Sequence, residues 1–336
     1  MARVEHSLRV VYEAASGEAN NLTVISMVPD EEGWEIRLQD AGASITPGVG
    51  CTAEASNLVV CRASFEPPPL VAYLKDEADA FTAFHQCAGF PECVEVHAGA
   101  GNDIVVGSSG ADYLFGGDGD DVLEGRNGEG YLYFHVGDEL TGGRGDDVLR
   151  GGVGRDVLIG GPDTDVMSGG KGFDEVGYWE RRSPVRADLQ GDADDGGSGE
   201  HDRILRDVEA LAGSSGADVL KGNSLGNTLR GLGGQDVVRG HGGDDSVEGG
   251  NGSDWLAGGG GRDYLVGSSR DPTDHAVSEA ARGHDVMFGG SGADFFMAND
   301  DFADRLRGGP GRGDRALIDP GLDDVRGIER VSSFDP

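Results

Sequence analysis

Aspartates recur in this chain at a spacing that an acidic, solvated surface would not require. Asp147, Asp156, Asp165 and Asp174 lie nine residues apart, and so do Asp236, Asp245, Asp254 and Asp263. Each follows a short run of glycines, as in GGRGDDVLR and GGVGRDVLI (142–159) or GGNGSDWLA and GGGGRDYLV (249–266). A carboxylate, together with backbone carbonyls freed by glycine turns, offers hard oxygen donors. Six to eight such oxygens suit Ca²⁺, whereas Mg²⁺ demands a small octahedron and gives up water reluctantly. Proton transfer is the weaker reading of the adjacent pairs Asp120–Asp121 and Asp244–Asp245. Neighbours on a turn point apart, one inward as a ligand and one to solvent.

The elements that must position these groups follow from the nonapeptide G-G-x-G-x-D-x-U-x, where U is a large apolar residue. The unit repeats over 107–124, 142–177 and 213–266. Positions 7 to 9 are too short for a helix and rich in Val, Leu, Tyr and Trp, so they read as three-residue strands. Alternation across a strand sends U inward and positions 7 and 9 outward. The inward set is Leu114, Leu123, Leu149, Leu158, Met167, Leu220, Leu229, Leu256 and Leu265. Glycines let six residues reverse the chain tightly. Two nonads make one coil, so unit n stacks on unit n+2 and aspartates eighteen residues apart share a cation. Such pairs are Asp103–Asp121, Asp147–Asp165, Asp156–Asp174, Asp218–Asp236, Asp236–Asp254 and Asp245–Asp263.

The candidate metal ligands are Asp103, Asp112, Asp121, Asp138, Asp147, Asp156, Asp165, Asp174, Asp218, Asp236, Asp245, Asp254, Asp263, Asp285, Asp294, Asp304 and Asp314. Turn glycines that would supply carbonyls are Gly117, Gly119, Gly143, Gly145, Gly152, Gly154, Gly250, Gly252, Gly259 and Gly261. Asn227 stands where GNSLGNTLR should carry its aspartate, and Leu225 replaces a glycine, so that turn is expected to bind weakly or not at all. Asp138 and Asp285 each follow an interruption, with loops at 129–136 and 271–283 bulging from a turn before the strand rejoins.

The unit is the known consensus of a Ca²⁺-binding repeat, so the metal assignment is a pattern match that the residue chemistry explains. Over about two thirds of its length, roughly 98–316, the chain resembles the RTX (repeats-in-toxin) calcium-binding family. That resemblance implies an all-β, right-handed parallel β-roll, an extracellular location and folding triggered by Ca²⁺. On the order of ten ions are expected. The segment 174–223 also resembles an interruption found in such arrays, in which strands continue the coil without glycine turns. GLDDVRGIERV near the C-terminus resembles a degenerate copy of its second half.

The domain reading is a β-rich N-terminal cap over 1–97, a first roll block over 98–177, a non-repeat solenoid segment over 178–212, a second block over 213–316 and a degenerate cap over 317–336. A solenoid needs caps to cover its apolar ends; a separate binding domain is the alternative for 1–97. The GEANN…DAGASITPGVGC…VVC pattern there is similar to leading segments of secreted actinobacterial RTX-type proteins. The cysteines at 51, 61, 87 and 93 suggest local Cys51–Cys61 and Cys87–Cys93 pairs and an oxidising, extracellular setting.

Other function classes are disfavoured. A formal charge of −34 repels nucleic acid and anionic membranes. No run of about 18 apolar residues could span a bilayer. MARVEHSLRV lacks the apolar core of a signal peptide, so export would rely on a signal outside this sequence or on another route. The eight histidines are scattered and no HExxH, GxSxG or GxxxxGK[ST] motif occurs, so no enzyme is expected. The expectation is a structural or adhesive Ca²⁺-binding roll whose further partner is a polysaccharide or cell-surface ligand. The alternative is an accessory binding or secretion module of an extracellular enzyme. Oligomeric state is left open.

Overall fold

The computed structural model describes residues 2–5, 9–30, 33–47, 51–63, 70–83, 94–127, 137–267, 283–300 and 302–333. Cys87, Cys93, the loop 129–136 and all of 271–283 except Gly283 lie outside them. Every regular element among the described residues is a β-strand. Two compact units result, Met1–Asp174 and Glu175–Pro336.

From Leu70 to the end of the first unit, successive strands alternate between two sheets, so the pairing is between every second strand. One sheet runs in parallel through Arg9–Glu13, Leu70–Asp76, Val94–Ala100, Tyr113–Asp118, Glu139–Arg144 and Val157–Ile159, with Ala2–Glu5 antiparallel at its edge. The other runs through Asn21–Asp30, Ala80–Ala83, Ile104–Val106, Val122–Asn127, Val148–Gly154 and Val166–Gly172. Gly33–Asp40, Leu58–Ala63 and Cys51–Ala55 extend it antiparallel. Cys51 and Cys61 face each other across the last pair and are disulfide-bonded. The strand Val94–Ala100 runs across the proposed 97/98 boundary without a break.

The second unit repeats the scheme. Glu175–Gly177, Ala210–Ala212, Thr228–Gly233, Ser246–Asn251, Tyr264–Val266, Phe295–Ala298, Arg315–Ile318 and Arg330–Ser333 form one parallel sheet. Arg186–Asp188, Val219–Lys221, Val237–Gly242, Trp255–Gly260, Val286–Ser291, Arg305–Arg307 and Asp324–Arg326 form the other. Between Glu175 and Ala212 the coil continues without the nonapeptide turns of the repeat, on the buried side chains of Val185, Leu189, Ile204, Val208 and Leu211.

The register explains the core. Leu123, Leu149 and Met167 pair directly, as do Val238, Leu256 and Met287. All nine U residues named from the sequence are fully buried. Each such side chain contributes about 1.5–3 kcal/mol on leaving water. Two features differ from the sequence reading. Many strands are six or seven residues long, because pairing continues through the glycine positions, as in Gly152↔Gly170. The coil also runs past the second block at 213–316, with Asp324–Arg326 and Arg330–Ser333 pairing in parallel within the segment expected only as a degenerate cap.

Candidate metal centre

Stacked coils place the repeat aspartates in rows, each aspartate hydrogen-bonded to the next. The backbone N–H of Asp103 donates to Asp121 Oδ1 at 2.8 Å, that of Asp121 to Asp147 at 2.8 Å, and that of Asp147 to Asp165 at 3.0 Å. Asp112, Asp138, Asp156 and Asp174 form a second row through the same bond. In the second unit one row runs Asp218, Asp236, Asp254, Asp285, Asp304 and another Asp245, Asp263, Asp294, Asp314. The bond survives interruptions: Asp112 reaches Asp138 across 26 residues and Asp254 reaches Asp285 across 31. All seventeen aspartates expected from the sequence are buried.

The glycines bring carbonyl oxygens to the same rows. All ten turn glycines named above have φ between 101° and 159°, a region in which L side chains are strained. A Cβ on Gly143 would overlap the carbonyl oxygen of Gly117, and one on Gly145 that of Gly119. A Cβ on Gly142 would collide with both Asp147 Oδ2 and the carbonyl oxygen of Gly160; Gly231 meets Asp236 Oδ2 and the Gly249 carbonyl in the same way. Carboxylate and carbonyl oxygens from two stacked coils thus converge where the glycine leaves room.

In twelve of the row aspartates one carboxylate oxygen is left over. The Oδ2 atoms of Asp103, Asp121, Asp138, Asp147, Asp156, Asp236, Asp245, Asp254, Asp263, Asp294, Asp304 and Asp314 are buried without a hydrogen-bond partner. A buried charge in that state is costly unless something pairs with it. Asp40 is the counter-example within the same chain: it is equally buried, but accepts from Tyr12 Oη at 2.8 Å and from the N–H groups of Asn21, Gly42 and Ala43. Burial pushes Asp147, Asp236 and Asp245 up to about 7, and Asp121, Asp156, Asp254 and Asp294 up to about 6. Asp138 and Asp304 rise to about 9, because neighbouring carboxylates add to burial. Rows of buried, mutually repelling oxygens, with no nitrogen or sulfur donor among them, fit a hard cation of the Ca²⁺ type.

The family model of the RTX calcium-binding nonapeptide repeat (4 copies) matches residues 97–132, 141–176, 221–256, 239–269 and 279–302. The chain carries RTX calcium-binding repeats. Those repeats support calcium binding and a structural role for it. No curated protein matches the chain. Among the described residues no helix is long and apolar enough to cross a membrane.

The RTX rows are not uniform. Asp112 and Asp218 sit in identical GSSGAD turns whose second-position serine saturates the carboxylate. Ser108 donates its N–H and hydroxyl to Asp112 at 2.5 and 2.9 Å, and Ser214 does so to Asp218 at 2.6 and 2.8 Å. At Asn227 the amide oxygen accepts from Asn223 N–H at 2.8 Å.

Several row members lie outside the sequence reading. Asp79 is buried, accepts from Asn20 N–H and donates its own N–H to Asp103 at 2.7 Å. Its turn has Lys75 and Glu77 at φ 87° and 81° where later turns have glycine, so the glycine pattern hid it. The D-x-U signal, Asp79 followed by Phe81, was present. At the other end Asp304 N–H donates to Asp323 Oδ1 and Asp314 N–H to Glu329 Oε2. Asp300 is a further buried carboxylate in a turn that lacks glycine altogether.

Proposed function

We propose that this chain is an extracellular RTX β-roll that folds on Ca²⁺, holds on the order of ten ions, and serves a structural or adhesive role. The observation that carries the reading is the series of buried Oδ2 atoms without hydrogen-bond partners beside converging carbonyls. The row aspartates, with the glycine carbonyls of stacked coils, are the proposed ligands. Asp112 and Asp218, already saturated by serine, and the Asn227 turn contribute least. The Cys51–Cys61 disulfide supports an oxidising compartment.

A polysaccharide is the partner favoured by one face of the second unit. Across its paired strands the outward row reads Lys221, Arg239, Ala257, Phe288, Arg307, Arg326, in a chain of net charge −34. Lys221 pairs with Asp188, and Arg307 and Arg326 with Asp324, while the Arg239 guanidinium lies 4.8 Å over the Trp255 ring and Trp255 packs against Phe288. Aromatic faces stack on sugar rings, and a guanidinium group donates hydrogen bonds to sugar hydroxyls.

Equilibrium dialysis tests the calcium reading: on the order of ten bound ions are expected, and a chain that binds none would refute it. For the partner, the Ca²⁺-loaded chain should be retained on a neutral polysaccharide resin, and the Arg239→Ser, Trp255→Ser double variant should not be. Equal retention of the variant would exclude this face.

A further inference from the structure

We propose that Asp300 is a third carboxylate ligand in a single cation site with Asp285 and Asp304, distinct in composition from the other sites of the roll. The inference rests on the calcium reading above and adds a residue outside the nonapeptide pattern. Asp285, Asp300 and Asp304 are each 1% exposed, and they offer oxygen atoms that all lie within 4.8 Å of one another. Ca²⁺ binds oxygen at about 2.3–2.6 Å, so opposite ligands in its sphere stand about 4.6–5.2 Å apart. All three oxygens therefore fit around one ion.

A second observation points to a ligand. Asp304 Oδ1 accepts the Asp285 N–H at 2.9 Å, yet Asp304 Oδ2 is buried and accepts no hydrogen bond. The local sequence explains the difference from other turns. Ala298, Asn299 and Asp300 stand in the stretch where a regular unit has its glycines, so the usual carbonyl-rich turn is absent. Asp300 is held by its own short turn, with Phe302 N–H donating to Oδ1 at 3.0 Å. A carboxylate thus replaces a backbone carbonyl, and the site carries three formal charges where stacked aspartates alone supply two.

The only other triad of this kind among the described residues, Asp188, Asp194 and Asp195, is built differently. Lys221 pairs with Asp188, and Asp195 accepts from the N–H groups of Asp188 and Ile204. Protein donors already satisfy those two buried members.

Higher ligand charge tightens Ca²⁺ sites, so the ion at Asp285, Asp300 and Asp304 belongs to the tightest class and leaves last. Asp300→Asn keeps an oxygen for the Phe302 N–H but removes one charge. Calcium isotherms of the full chain in metal buffers should show one ion of the tightest class weakened about tenfold or more, with the rest unchanged. An isotherm superimposable on the wild type would overturn the assignment while leaving the calcium reading intact; a wild-type chain that binds no Ca²⁺ would overturn both. Should the variant fail to fold, anomalous scattering from wild-type crystals grown with Ca²⁺ decides. A peak bonded to oxygens of all three aspartates supports the site, and an ion without Asp300, or no ion, refutes it.

Discussion

Asn227 and Asp245 occupy the same place in successive coils of one row, and one atom separates their chemistry. Asn227 N–H donates to Asp245 Oδ1 at 2.8 Å, yet the Asn227 amide is satisfied by protein groups whereas Asp245 Oδ2 is not. Asp245→Asn should therefore abolish a site. With Ca²⁺ at about 100 times its Kd, the loss is about 2.7 kcal/mol, read from urea denaturation in Ca²⁺. Asp112→Asn should leave the ion count unchanged, because Ser108 already fills the role of the cation; an ion lost there would contradict this account. The position-6 aspartates were legible because their spacing is fixed by the coil. Asp79, Asp323 and Glu329 were not, since the turns that carry them use other residues where the pattern demands glycine. Lys75 and Glu77 take the left-handed conformation despite their side chains.

Elements in this molecule are too short to stand alone. A strand such as Val219–Lys221 contributes one buried leucine and a few backbone bonds, and isolated β pairs are marginal in water. Stability at this scale comes from stacking, so damage to one coil passes to its neighbours. Leu256→Ala, which empties a fully buried position between Val238 and Met287, should cost about 2–5 kcal/mol. Gly143→Ala should cost more than about 2 kcal/mol, because φ is +121° and the added methyl meets the Gly117 carbonyl. Thermal melts of the Ca²⁺-loaded variants check both; a Gly143→Ala variant as stable as wild type would contradict the close approach of the coils. The inward leucines were readable from period alone. The true strand lengths were not, because glycine reads as turn while its backbone here joins the ladder.

For the whole molecule, net charge and buried carboxylates set a dependence on pH and metal. Row aspartates such as Asp121, Asp147, Asp236 and Asp254 have folded-state pKa values raised by burial above the unfolded value of about 4, so the metal-free fold binds more protons than the unfolded chain. Its stability is fully present below about pH 4 and is lost as pH rises through the raised values, about 6 for Asp121 and Asp254 and about 7 for Asp147 and Asp236. Calcium reverses the sense, since it requires the ionised form. Dialysed metal-free chain should show more β signal at pH 4.5 than at pH 8. The Ca²⁺ midpoint should move to higher concentration as pH falls below about 6; a midpoint independent of pH would contradict carboxylate ligation. The most direct test of Ca²⁺-coupled folding is far-UV circular dichroism near pH 7.5, first in chelator and then during Ca²⁺ addition. The chain should be largely unfolded in chelator and become β-rich in a cooperative transition as Ca²⁺ is added. A β spectrum in chelator that Ca²⁺ leaves unchanged would contradict Ca²⁺-coupled folding.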